Sequence, residues 1–149
     1  MFGKKDKYAP FDKEACSKIE ASIAQAEEKT SGEIRVHVVE RCRENVLESA
    51  AMAFDSLGMA KTKLRNGVLL FFATQDRKFA IIGDQGINDI VGQGFWDDAV
   101  EMVERGFGSG KPIEAVCDAI RLCGEKLSAH FPPQENDEDD LPNQVSFQK

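Results

Sequence analysis

Apolar positions recur along this chain in two rhythms, and the changes of rhythm mark its elements. Ala15, Ile19, Ile23 and Ala26 repeat at helical spacing behind Asp12, a good N-cap with Glu14 in the first turn, until Ser31-Gly32 stops the pattern. Residues 33–39 then alternate, with Ile34, Val36 and Val38 on one side, and predict a first strand. Asn45 and Glu48 have the spacing of a capping box and open a second helix. Its expected buried stripe is Leu47, Ala50, Ala51, Phe54 and Leu57, with Gly58 as the stop. After a polar connection, Asn66-Gly67 leads into residues 68–73, apolar without interruption and so predicted as a central strand covered on both faces. Residues 74–78 make a polar turn, and Phe79-Ala80-Ile81-Ile82 returns antiparallel.

A glycine-flanked acidic loop, residues 83–89, follows the hairpin. The spacing of Trp96, Ala99, Val100 and Val103 then predicts a helix over 95–105, with Phe107 on the same face and Gly106, Gly108 and Gly110 as breakers. Pro112 suits the first turn of a last helix with the stripe Ile113, Val116, Cys117, Ile120 and Leu127, closed by Pro132-Pro133. The first two strands are joined through a helix, a crossover that is nearly always parallel and right-handed. The expected architecture is α/β: a small mixed sheet with helices on both faces. It spans residues 12–131, between an N-terminal segment (1–11) and an acidic tail (132–149) that reads as disordered or loosely attached.

Length and charge narrow the function classes. The 149 residues suit one domain, and of the net charge of −7 the last sixteen residues carry −4, which leaves the folded part only mildly acidic. No basic stripe exists to neutralise phosphates, so nucleic acid is excluded as an expected partner. The longest apolar run is strand-sized, and the basic N-terminus passes into polar sequence without a signal-peptide core. No membrane insertion is expected, and the cytoplasm is the expected compartment. Cys16, Cys42, Cys117 and Cys123 are far apart with no C-x-x-C pair, which favours reduced thiols over disulfides or zinc.

Strand direction points to candidate chemistry. Parallel strands begin on the same sheet edge, and an antiparallel third strand ends where the second begins. The start of the first strand (Glu33), the start of the second (Arg65, Asn66) and the end of the third (Asp84) are therefore expected on one rim, with Gln85, Asn88 and Asp89 in the next loop and Asp97 and Asp98 at the following helix. Carboxylates and amide carbonyls converging on glycine-rich backbone suit a hard cation, calcium or magnesium. The candidate ligands are Glu33, Asn66, Asp84, Asn88, Asp89 and Asp97. The same residues have plainer uses: Asp84 can simply end a strand, Asn88 or Asp89 cap a turn, and Asp97 and Asp98 favour a helix N-terminus. Asp76 falls in a turn at the opposite edge, outside this set. His37 and His130 share no motif and read as packed or capping residues, and no nucleophile elbow, P-loop or dinucleotide fingerprint occurs.

Thr30-Ser31-Gly32-Glu33-Ile34, Asn66-Gly67-Val68-Leu69-Leu70, Asp76-Arg77-Lys78 and Gly83-Asp84-Gln85-Gly86-Ile87, in this order, resemble the TPM domain family, also called the TPM phosphatase family. The resemblance covers about residues 12–131. It looks closest to the stand-alone cytosolic members, which similarly have Phe95-Trp96-Asp97 and an acidic Leu-Pro tail like Asp140-Leu141-Pro142-Asn143. It implies a three-layer α/β/α sandwich, divalent-cation binding (calcium chiefly) in loops at one sheet edge, and a phosphatase label. The family's Gly-Tyr-Gly-Leu stands here as Asp84-Gln85-Gly86-Ile87, which adds a carboxylate. Two functions follow as expectations: a metal-dependent phosphomonoesterase, or a calcium- or magnesium-binding interaction domain without catalysis, whose acidic tail could engage a protein partner.

Overall fold

The structure, a computed structural model, describes residues 7–42, 45–134 and 142–148. Its elements in chain order are α1 (Lys13–Glu27), β1 (Glu33–Val39), α2 (Val46–Ser56), β2 (Gly67–Ala73), β3 (Lys78–Gly83), the single-turn α3 (Gln85–Asn88), α4 (Asp97–Gly108), α5 (Pro112–Ser128) and β4 (Ser146–Phe147). Short 3-10 turns at Met59–Lys61 and Gln93–Trp96 lead toward β2 and into α4.

The caps form where the side chains dictate. Asp12 Oδ1 accepts the Ala15 amide at 2.8 Å, and Asn45 Oδ1 accepts the Glu48 amide at 2.8 Å while its own amide donates to Glu48 Oε1 at 2.7 Å. The sheet order is β3-β2-β1-β4. β1 and β2 run parallel with Glu33 opposite Gly67, and β2 and β3 run antiparallel with Val68 opposite Gly83. Both directions agree with the sequence reading.

Side-chain alternation splits the core into two layers. Ile34, Val36, Val38, Val68, Leu70, Phe72 and Ile81 pack under α1, α4 and α5, while Val39, Leu69, Phe71, Ala73 and Ala80 pack under α2 and Met59. Every residue of β2 is buried, as its unbroken apolar run requires. The result is the three-layer α/β/α sandwich. Among the described residues no helix is long and apolar enough to cross a membrane, and all four cysteines are free.

Four local expectations are corrected. Leu47 is 50% exposed and Ala51 is exposed, because α2 turns Ala50 and Phe54 to the sheet, with Val46, Ala53 and Leu57 half-buried beside them. Gly106 does not break its helix. A Cβ there would lie 2.0 Å from the Ala115 Cβ, so the glycine lets α4 and α5 approach, and α4 continues to Gly108. The acidic loop is not all loop, since Asp84 caps α3 and Ile87 is buried beneath it. The tail, expected to be loosely attached, docks where it is described: Ser146–Phe147 pairs parallel with β1, and Gln148 N donates to Val38 O at 3.0 Å. Phe147 also lies 5.0 Å from the Tyr8 ring. Residues 135–141, its most acidic stretch, lie outside the described residues.

Candidate functional site

The rim at the starts of β1 and β2 is assembled by backbone. The Glu33 amide donates to Asn66 O at 3.3 Å, and the Asp84 amide donates to Gly67 O at 2.9 Å, so the start of β1, the start of β2 and the end of β3 adjoin as strand direction predicts. Glu33, Asn66 and Asp84 are all buried. Gly86 closes the arrangement: its amide donates to Arg65 O at 2.8 Å, and a Cβ at this position would lie 2.3 Å from Leu64 O and 2.6 Å from Arg65 O. Only glycine lets α3 sit against the chain leading into β2.

The centre of the rim is a forked ion pair. Arg65 Nε donates to Asp84 Oδ2 and Arg65 Nη2 to Asp84 Oδ1, both at 2.8 Å, and Asp84 Oδ1 also accepts the Gln85 amide at 2.7 Å. The geometry is bidentate, the strongest form of guanidinium–carboxylate recognition. The pair is lopsided in exposure, 4% for the Asp84 side chain against 45% for Arg65. The hydrogen bonds that Arg65 donates to Asp84 push its own pKa further up. Arg65 holds this position with φ of 51°, a left-handed conformation that costs a non-glycine residue energy and that the surrounding contacts enforce.

Polar residues extend the rim toward α1. The Asn66 side chain donates to Ser31 Oγ at 3.5 Å, its amide donates to Thr62 Oγ1 at 3.3 Å, and Glu27 Oε2 accepts the Ile34 amide at 2.8 Å. On the other side, Asn88, Asp89 and Asp97 are exposed. Asn88 donates to Gly83 O at 3.0 Å, while the carboxylates of Asp89 and Asp97 make no hydrogen bond or ion pair with a described residue. Asp98 pairs with Lys126 at 3.1 Å. Glu33, Asn66 and Asp84 are thus brought together as neighbours along the backbone, whereas Asn88, Asp89 and Asp97 flank them on the surface. Among the described residues no three His, Cys, Asp or Glu side chains are gathered as a metal-binding cluster.

Sequence reasoning places Arg65 on the rim and misses its engagement with Asp84. The signal was there in kind, since a carboxylate at a buried strand end needs a counter-charge, and Arg65 is the rim cation. Glu27 was missed because it closes a helix and carries no periodic signature.

The remaining reactive groups behave as packing residues. His37 is 7% exposed, its Nδ1 lies 2.7 Å from Ser146 Oγ, and burial together with Arg35 lowers its pKa to about 4. Burial pushes the Cys123 thiol up to about 12 and raises those of Cys16 and Cys42, the reverse of activation. Asp76 ties the β2–β3 turn to the end of β1, accepting from the Cys42 amide at 2.8 Å and Arg41 Nη1 at 3.1 Å.

Comparison with known proteins agrees with this fold. The TPM domain family matches over residues 5–126. The NMR structure of the BA42 protein from the psychrophilic bacteria Bizionia argentinensis is similar with a TM-score of 0.85 and 39% sequence identity, covering 92% of this chain and 94% of that one. No protein of curated function matches the sequence.

Proposed function

This chain belongs to the TPM domain family, and from that premise we propose that it is a divalent-cation-binding domain, for calcium or magnesium, with the rim of Glu33, Asn66 and Asp84 as its centre and Asn88, Asp89 and Asp97 as outer oxygen donors. The observation that carries this reading is the lopsided ion pair. Asp84 is a buried carboxylate whose counter-charge is half in solvent. A buried carboxylate requires a positive partner, but the partner can be exchanged.

The donor set is all oxygen, the chemistry a hard cation prefers. The fit is conditional, since Asp84 Oδ1 already accepts two hydrogen bonds and Oδ2 one. Coordination by Asp84 therefore requires the Arg65 fork to swing away, which its exposure permits. A bound cation would supply positive charge to the rim in place of the guanidinium, linking β1, β2 and α3 through one ion.

Substituting Arg65→Gln tests the exchange. The variant is expected to melt several degrees lower in chelator, because Asp84 loses its counter-charge, and to gain more from millimolar calcium than the native protein does. An unshifted melting transition for both proteins in millimolar calcium and magnesium contradicts the proposal.

One observation favours a phosphomonoesterase as the second reading: a forked, half-exposed guanidinium at the rim is the group that grips phosphate oxygens. A cation there would neutralise phosphate charge and acidify a bound water. Calcium- or magnesium-dependent turnover of simple phosphoesters, lost in Asp84→Asn with folding intact, would establish it. The absence of turnover across a broad panel leaves the binding domain as the reading.

A further inference from the structure

At the opposite edge of the sheet, around the C-terminal end of β2 and the start of β3, lies a groove of about 710 Å³. This is the edge where open α/β sheets receive ligands, and the volume is that of a small-molecule site. Its floor is aromatic. Phe72 sits at the centre, with Phe11 at 4.9 Å, Phe79 stacked at 5.6 Å and Phe107 stacked at 6.1 Å between ring centroids. Phe11 and Phe72 are buried, but Phe107 is 41% exposed, so the stack opens to solvent rather than closing into core.

The lining also carries charge. Arg77 and Lys78 line the groove, both exposed, and neither side chain makes an ion pair or hydrogen bond with a described residue. Arg77 stands in the β2–β3 turn with φ of 55°, again a left-handed arginine. Glu104, exposed on α4, is the one acid among the described residues of the lining. Among the described residues, two cations against one carboxylate leave a single positive charge, which matches a monoanion better than a phosphate dianion. Aromatic faces with a guanidinium fork nearby recognise an apolar body bearing a planar carboxylate.

We propose that this groove binds a small organic monoanion, a carboxylate with an acyl or aryl body that lies over Phe72, Phe79 and Phe107 and places its head between Arg77 and Lys78. The site is separate from the Glu33–Asp84 rim and needs no cation.

Decanoate is the probe, titrated into the full chain in chelator and followed by backbone amide shifts, with decanol as the uncharged control. Saturable shifts are expected at residues 74–79 and 104–107, with decanol at least tenfold weaker. The double variant Arg77→Gln, Lys78→Gln is expected to weaken decanoate at least tenfold. Phe107→Ala, which removes a half-exposed ring, should weaken it several-fold, and Glu104→Gln should tighten it. These last two lie on the surface of α4 and keep the test open if the turn variant fails to fold. Absence of saturable shifts in the groove, equal affinity for decanol, or an affinity unmoved by both the charge and the ring substitutions overturns the proposal.

Discussion

His37 illustrates how one buried side chain sets a pH dependence. It faces the α2 layer from mid-β1, its Nδ1 meets Ser146 Oγ, and burial and Arg35 bring its pKa from the ordinary 6.5 down to about 4. The folded state therefore resists protonation more than the unfolded chain does. Stability is full above the unfolded value and falls as pH drops from about 6.5 toward 4, with a slope approaching about 1.4 kcal/mol per pH unit for one proton. Chemical denaturation of the native protein and of His37→Gln at pH 7, 6 and 5 checks this. The variant is expected to lose less stability on acidification, and parallel profiles would show that His37 is not the group responsible. Arg65 and Asp84 belong to the same scale. They are nineteen positions apart, and a side-chain pair across that distance leaves no period in the sequence, which is why the rim reads from strand direction while its ion pair does not.

Elements are legible here to the extent that their periodicity reflects one buried face. β2 is apolar throughout and buried throughout, and β1 alternates because Ile34, Val36 and Val38 face the larger core layer while Glu33, Arg35 and His37 face the other way. α2 misleads for the same physical reason. Its sequence is apolar on more than one face, so the pattern alone cannot say which stripe meets the sheet, and Leu47 is assigned inward when it is half in solvent. Gly106 misleads differently, since glycine punctuates helices in sequence but here removes a clash between two of them. Gly106→Ala tests that assignment. With Ala115 in place, the added methyl must push α4 from α5, and overpacking of this kind costs about 1–3 kcal/mol. A fall in melting temperature of several degrees is expected, partly restored by the second substitution Ala115→Gly. Were Gly106→Ala neutral or stabilising, by the usual helix preference for alanine, the close approach would not be what holds the glycine there.

At the scale of the whole molecule, the sheet separates two ends with different chemistry. One end gathers buried oxygen donors around a carboxylate whose counter-charge is half in solvent; the other offers aromatic rings with Arg77 and Lys78 against Glu104. The divergence follows from chain direction: parallel β1 and β2 send their starts to one edge and their ends to the other, and β3 returns the chain so that Asp84 and Arg77 fall on opposite sides. The family and the three-layer fold are legible in the sequence because they depend on this order of elements. The engaged state of Asp84 and the docked end of the tail are not, because each depends on contacts between segments far apart in the chain. Cation binding at the rim is tested most directly by mapping backbone amide shifts of the full chain during a calcium titration, repeated with magnesium. Saturating shifts are expected at Glu33, Gly67, Asp84 and Gln85, with the Arg65 side-chain resonance moving as its fork is released. Shifts confined to the acidic residues of 135–141, or none at the rim in millimolar cation, would contradict it.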